Sequence, residues 1–250
     1  MNELIKKDYP EFNWEKYKEM NPYLYICGLR KKEEYIYNFL KEGRLLGRKY
    51  LDEHIYPYSI HVLIATIGNN SIFKMLECLR NELEEHDYLT IVFDASKKNI
   101  EEVKSYITTH IKGTVQVIYE DHNLGYWGHG IRNKYNRLKG DFIFHCDDDD
   151  LIIPGAFKRI RTIIKDKSTL YIFKIRIETG QIIWKTPHVK LNEISTQCGI
   201  IPSHLNYMSI WKHKYGGDYD FYKGLSDNYN TLFINELIYQ KKIENKRMKR

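Results

Sequence analysis

At 250 residues, with 42% hydrophobic and 29% charged residues, the chain suits one sizeable α/β domain with a small appendage and excludes both a pair of large domains and a disordered protein. The formal charge is +6, but the closing segment KKIENKRMKR sets six Lys and Arg residues against Glu244, so five of those charges sit in the last ten residues. The nearly neutral body argues against a nucleic-acid partner.

The first 58 residues are aromatic-rich and helix-prone, with FNWEKYKEMNPYLYICG followed by YIYNFLKEGRLLGR. They are expected to form a separate helical module packed against the main domain, since no long linker follows. The opening MNELIKKDYPEFNWE lacks the apolar core of a signal peptide, and no segment approaches the ~20 apolar residues of a membrane span. Cys27, Cys78, Cys146 and Cys198 form no C-x-x-C pair, which argues against zinc or dithiol chemistry. A reduced, cytoplasmic location is the expectation.

From residue 60 short apolar runs alternate with helical patterns, the signature of a largely parallel sheet with crossover helices. IHVLIATIG reads as a first buried strand, and Ile72, Met75, Leu76, Leu79 and Leu83 recur at helical spacing after it. YLTIVFD (88–94) is a second strand, Ile100, Val103 and Ile107 the apolar face of a second helix, and TVQVIYE (114–120) a third strand. GHGIRNKYNRLKG suggests a short helix ended by Gly140, and DFIFHC a fourth strand. Pro154 opens a further helix, and TLYIFKIRIETGQIIWKT reads as two strands turning at Thr179-Gly180. The domain is expected to run from 59 to 235, and residues 236–250 are read as a basic C-terminal helix and tail. That tail is either a solvated helix end or a weak grip on anionic lipid headgroups.

Each strand ends in a polar or acidic cluster, and in an open α/β sheet ligands bind at the carboxyl ends of strands. The densest cluster is FIFHCDDDDLIIPG, where Asp147, Asp148, Asp149 and Asp150 follow an apolar strand. Mg²⁺ or Mn²⁺ is commonly held by one or two carboxylates together with phosphate oxygens, so a metal-diphosphate site fits the run. Capping of the following helix, a solvated turn and structural calcium are the competing readings.

LIATIGNN, IVFDASKKN and NLGYWGHGIRNKYNRLKGDFIFHCDDDDLIIP, in that order, resemble family 2 glycosyltransferases of GT-A fold. The resemblance covers residues 60 to 160 and implies a Rossmann-like, mostly parallel sheet flanked by helices. It implies a metal-dependent, inverting transfer of a sugar from a nucleoside-diphosphate sugar, with UDP expected, to a carbohydrate hydroxyl of a glycan or glycoconjugate. It places Thr66 and Ile67 by the nucleotide base, Asp94 on its polar edge, Arg132 toward base or phosphate, and Gly128 and Gly130 where backbone approaches nucleotide. Within the acidic run it puts Asp147 and Asp148 near the ribose and Asp149 on a Mn²⁺ or Mg²⁺ ion. The plainer readings are a surface salt bridge for Arg132 and a cap or turn residue for Asp94. The second strand departs from the family by ending in Asp-Ala-Ser, and His122 and His129 flank the glycine segment where the family pattern asks for no histidine.

Inverting transfer needs a base for the acceptor hydroxyl. WKHKYGGDYDFYKGL is similar to the family's Tyr-Gly-Glu-Asp segment, which implies Asp218 as that base, with Asp220 as the alternative and a helix cap as the plainer role of both. Gly217 stands where the family has Glu. IPSHLNYMSIWKH resembles the preceding segment, so His204 is expected either at the diphosphate and metal or as a core histidine. Trp127, Trp184 and Trp211 are candidates for a sugar-stacking ring or for core positions. A nucleotidyltransferase and a non-catalytic glycan-associated binding protein are the rival functions. The N-terminal module is similar to small helical units beside glycosyltransferases of surface-glycan synthesis, including those of large DNA viruses.

Overall fold

The computed structural model describes Ile5, Tyr9 and residues 12–21, 23–43 and 58–241. The lipid-binding expectation for the basic tail falls on 242–250, outside the described residues. Among the described residues no helix is long and apolar enough to cross a membrane.

The N-terminal module is helical, as α1 (Trp14–Met20), α2 (Tyr23–Ile26), α3 (Lys32–Asn38) and a π-helical turn Phe39–Gly43. Asn13 caps α1 by accepting from the Glu15 and Lys16 amides. The module has its own aromatic core, in which Tyr17, Tyr35 and Phe39 are fully buried. The Tyr9 hydroxyl donates to the Asn235 carbonyl at 2.8 Å, which ties the module to the main sheet.

The main domain is built on β1 (Ile60–Thr66), β2 (Tyr88–Asp94), β3 (Thr114–Glu120) and β4 (Phe142–Asp147), which pair in parallel in the order β3-β2-β1-β4. Crossovers run through α4 (Ile72–Arg80), α5 (Ile100–His110) and α6 (His129–Lys134). Period-2 alternation splits β1 between two cores. Val62 and Ile64 pack with Met75 and Leu79 of α4, whereas Leu63 packs with Val92 and Ile131 of α6. A central strand covered on both faces explains the nearly unbroken apolar run read at 60–66.

After β4 come β5 (Leu151–Ile152), α7 (Ala156–Ile163), β6 (Leu170–Arg176) and β7 (Ile182–Ile183), with β6 and β7 paired antiparallel around the expected turn. Gly180 takes φ +83° there, a left-handed conformation that favours glycine. A 3₁₀ turn Thr196–Cys198 leads into β8 (Gly199–Pro202), followed by α8 (Gly217–Ser226) and β9 (Thr231–Gln240). The sheet continues from β4 as β8-β6-β9-β5.

Two expectations need correction. The helix read in GHGIRNKYNRLKG ends at Lys134 instead of reaching Gly140. The helical reading of the C-terminal segment fails more completely, because 231–240 is a strand paired parallel to β6 and antiparallel to β5. Its β-branched and aromatic residues, among them Thr231, Phe233, Ile234, Ile238 and Tyr239, suit a strand once sheet partners are available, and pairing overrides the helical period. The sheet therefore extends through Gln240.

Candidate functional site

The parallel pairing brings Thr66, Asp94 and Asp147 to one edge of the sheet, with Asp147 opposite Ala65 and Thr66 opposite Phe93. Strand β8 is antiparallel to β4, β6 antiparallel to β8, and β9 parallel to β6. The carboxyl ends of β6 and β9 consequently emerge at the same edge as Asp147.

Asp147 is the hub of that edge. One of its oxygens accepts from Arg132 Nη2 at 2.5 Å and the other from Gln197 Nε2 at 2.5 Å. Its backbone amide faces the Tyr239 hydroxyl at 3.3 Å. Burial pushes its carboxyl up, but the Arg132 and Lys241 charges and the two hydrogen bonds outweigh it and hold the group below the usual carboxylate range.

Arg132 is only 1% exposed, so neither a solvated surface pair nor a guanidinium free to reach a nucleotide describes it. Nη1 donates to the Trp127 carbonyl at 2.8 Å, and the guanidinium lies 5.5 Å from the Trp211 ring centroid. Gly128 makes room for this arrangement: a Cβ there would stand 2.6 Å from Ala65 Cβ and 3.0 Å from Arg132 Nη1. A Cβ on Gly130 would stand 2.2 Å from the Leu124 carbonyl oxygen. Both glycines thus serve close packing of the 124–132 segment.

Asp94 accepts from the Leu124 amide at 2.7 Å and from the Gly125 amide at 3.4 Å, which is the turn role weighed for it. It fixes the start of a run in which Gly125, Tyr126, Trp127 and Gly128 all have positive φ, and Tyr126 and Trp127 project outward, 52% and 72% exposed. Trp211 is by contrast core, stacked on Phe221 at 4.0 Å, and Trp184 is buried. Thr66 donates from its hydroxyl to Asp148 and accepts from the Gly68 amide at 2.8 Å, and Ile67 beside it is exposed. His122 is exposed.

Burial raises the Asp148 carboxyl to about 6; the Thr66 hydrogen bond opposes the shift, and Asp149 and Asp147 add to it. Among the described residues no three His, Cys, Asp or Glu side chains are grouped as a complete metal cage. The half-buried carboxylates of Asp148 and Asp149 suit a hard divalent ion that takes its remaining oxygen ligands from a diphosphate.

His204 does not belong to this set. β8 runs antiparallel, so Pro202 pairs with Phe142 at the opposite end of β4, and His204 lies exposed beyond it. His129 is by contrast buried near the site, its Nδ1 donating to the Lys212 carbonyl at 2.9 Å.

Asp218 lies in the first turn of α8, where it accepts from the Tyr219 amide at 2.8 Å. The helix is set at the site edge by Tyr222, whose hydroxyl donates to the Thr196 carbonyl at 2.5 Å and accepts from the Gly199 amide at 3.1 Å. Burial raises the Asp218 carboxyl, opposed by the Tyr219 amide, Lys241 and His129. Asp220 is turned away. It pairs with Lys214 at 2.7 Å and Lys212 at 3.3 Å, which hold it below the usual range against the opposing effect of burial.

Sequence reasoning missed two groups of the edge. Gln197 carried no signal, and Lys241 was absorbed into the basic tail.

No protein-family model and no curated protein sequence matches the chain. Solved structures do, among them the GT-A glycosyltransferases that follow. Residues 1–349 of S. aureus TarS superpose with a TM-score of 0.62 at 16% identity, covering 74% of this chain and 60% of that one. The same protein has been crystallised with UDP-GlcNAc, with a TM-score of 0.60. The mannosyltransferase PcManGT of Pyrobaculum calidifontis, in complex with GDP-Man and Mn²⁺, gives 0.59 at 13% identity, covering 85% of this chain and 65% of that one. GalNAc-T7 with UDP, GalNAc and Mn²⁺ gives 0.52 at 13% identity, covering 77% and 45%. The chain spans less than two thirds of the length of each. This mixed α/β protein, with its curled, mostly parallel sheet flanked by helices, has the GT-A fold.

Proposed function

We propose that the protein is a metal-dependent, inverting glycosyltransferase of family 2 type that moves a sugar from a nucleoside-diphosphate sugar to a carbohydrate hydroxyl, with UDP as the first nucleotide to test. The observation that carries the reading is the pairing of an acidic turn at the end of β4 with one separate carboxylate, Asp218, raised by burial and supported by a helix N-terminus. Complexes of the TarS and mannosyltransferase structures with UDP-GlcNAc and with GDP-Man and Mn²⁺ support the donor class.

In this reading the base of the nucleotide lies against Thr66, Ile67 and the turn held by Asp94. Asp149, with Asp148, holds Mn²⁺ or Mg²⁺, which when bound offsets charge on the diphosphate. Asp218 accepts the proton of the acceptor hydroxyl as that oxygen bonds to the sugar C1. The bond from C1 to the diphosphate oxygen breaks with its electron pair leaving on the diphosphate. A raised pKa makes Asp218 a better proton acceptor than an ordinary carboxylate. Trp127 offers an exposed ring beside this path for an acceptor sugar.

The test is a thermal-shift screen of nucleotide sugars with and without Mn²⁺, followed by a transfer assay on the selected donor. Stabilisation that requires both nucleotide and Mn²⁺, and is lost in Asp149→Ala, is the expected result. Indifference to every nucleotide sugar overturns the reading, and release of pyrophosphate in place of a nucleoside diphosphate would assign a nucleotidyltransferase.

A further inference from the structure

Lys241 stands in the sequence as the first of a run of basic residues, and the strand topology fixes where it lies. Because β4, β6 and β9 point the same way, the residue after β9 arrives at the edge where Asp147 ends β4. Three contacts fix the arrival. Gln240 pairs with Leu151, the residue following Asp150. The Lys241 amide donates to the Arg176 carbonyl at 2.7 Å, and the Tyr239 hydroxyl, two residues back, meets the Asp147 amide at 3.3 Å. The position is thus set by backbone pairing on two neighbouring strands.

The electrostatics agree with the geometry. Burial alone would push the Lys241 ammonium down, but Asp147, Asp150, Glu178 and Asp218 outweigh it and raise the group above its ordinary value. One cation therefore acts both on the acidic turn and on the candidate base, which come from different elements. Arg132 cannot play this part, since Asp147 and the Trp127 carbonyl engage two of its nitrogens and it is 1% exposed. Lys241 retains partial exposure and a flexible four-carbon stem.

We propose that Lys241 is a diphosphate-binding residue of this site, its ammonium meeting the terminal phosphate of a bound nucleoside diphosphate between the acidic turn and Asp218. The inference rests on the glycosyltransferase reading and deepens it. A lysine is a point charge with three donors, suited to follow phosphate oxygens as they shift. Acting on both the acidic turn and Asp218, it neutralises charge on the departing group where the carboxylates of the turn cannot.

The experiment compares the affinities of UDP and UMP, each with Mn²⁺, for the full chain and for Lys241→Gln and Lys241→Arg. GDP and GMP replace them if the donor screen selects guanine. Loss of one charge-assisted contact predicts UDP binding weakened about tenfold or more in Lys241→Gln, with UMP affinity changed less than about twofold. Lys241→Arg is expected to restore most of the UDP affinity, which a purely structural role of the stem would not predict. Equal loss of UDP and UMP, or unchanged UDP affinity in Lys241→Gln, overturns the inference and leaves the glycosyltransferase reading standing. Failure of the unaltered protein to bind any nucleoside diphosphate overturns both.

Discussion

The guanidinium of Arg132 and the carboxylate of Asp147 meet at 2.5 Å, with their side chains 1% and 30% exposed, and the same guanidinium holds the carbonyl of Trp127 at 2.8 Å. One buried cation therefore locks the first carboxylate of the acidic turn to the loop that presents Tyr126 and Trp127. Breaking such a pair by removing one partner costs about 3 kcal/mol, because the remaining charge is left without compensation. Arg132→Met is expected to lower stability by that order and to abolish nucleotide binding. Arg132→Lys, which cannot span both partners with a planar fork, should be only a partial rescue. Urea unfolding followed by calorimetry with UDP and Mn²⁺ checks both.

Asp218→Asn should separate chemistry from stability. Turnover is expected to disappear while UDP binding persists, as a base that touches only the acceptor requires. The folded-state pKa is raised, so ionisation of Asp218 costs stability once the pH exceeds that value, whereas below the unfolded value near 3.8 there is no such cost. The amide avoids this penalty. Asp218→Asn is therefore expected to melt above the unaltered protein at pH 7 and to lose that advantage as the pH falls through the folded pKa. A melting curve at several pH values measures it, and intact turnover would remove the assignment.

Gly217 stands where the resembling family has Glu, and packing explains the glycine. A Cβ on Gly217 would lie 2.1 Å from the Lys212 carbonyl oxygen and 2.8 Å from His129 Nδ1, the two atoms that hydrogen-bond to each other. Gly217→Glu is expected to destabilise the protein by about 2 kcal/mol, in the range of overpacked cores, and to lower turnover by displacing α8. Denaturant unfolding and the transfer assay test this. Enhanced activity in that variant would show that the site is a decayed one.

Two buried histidines set an acid limit. His61, held by Thr90 at 2.8 Å and the Lys139 carbonyl at 3.1 Å, is lowered by burial to about 4, and His145, bonded to Asn206 at 2.8 Å, to about 3. Between these values and 6.5 the unfolded chain binds protons that the folded one does not, so their contribution to stability is present above 6.5 and falls as the pH drops. Together they should make stability fall by a few kcal/mol, on the order of one per pH unit for each histidine, between about pH 6 and pH 4. Urea midpoints across that range check the slope, and His61→Asn should flatten it.

Strands β1, β2 and β4 were legible because a strand covered on both faces writes a continuous apolar run, the edge strand β3 because its apolar residues alternate, and each ends in a polar cluster. After residue 150 local pattern still marked the helix behind Pro154 and the hairpin at Thr179-Gly180, but not the strands that close the sheet. Segment 231–240 looks helical by period, and its pairing with β6 and β5 is a contact with residues up to some 90 positions away. The same non-local pairing removed His204 from the site, since the direction of β8 cannot be read from its four residues. It also brought in Lys241.

What the sequence determined by itself was the identity of the charged groups and their place at strand ends, for burial dictates where apolar runs must stop. Only tertiary structure decided which cation faces which carboxylate. Arg132 was expected at a nucleotide and is buried on Asp147; Lys241 was read as solvated tail and stands beside the turn. Electrostatic energy depends on distance through space, and the order of strands in a sheet sets that distance with little regard to separation along the chain.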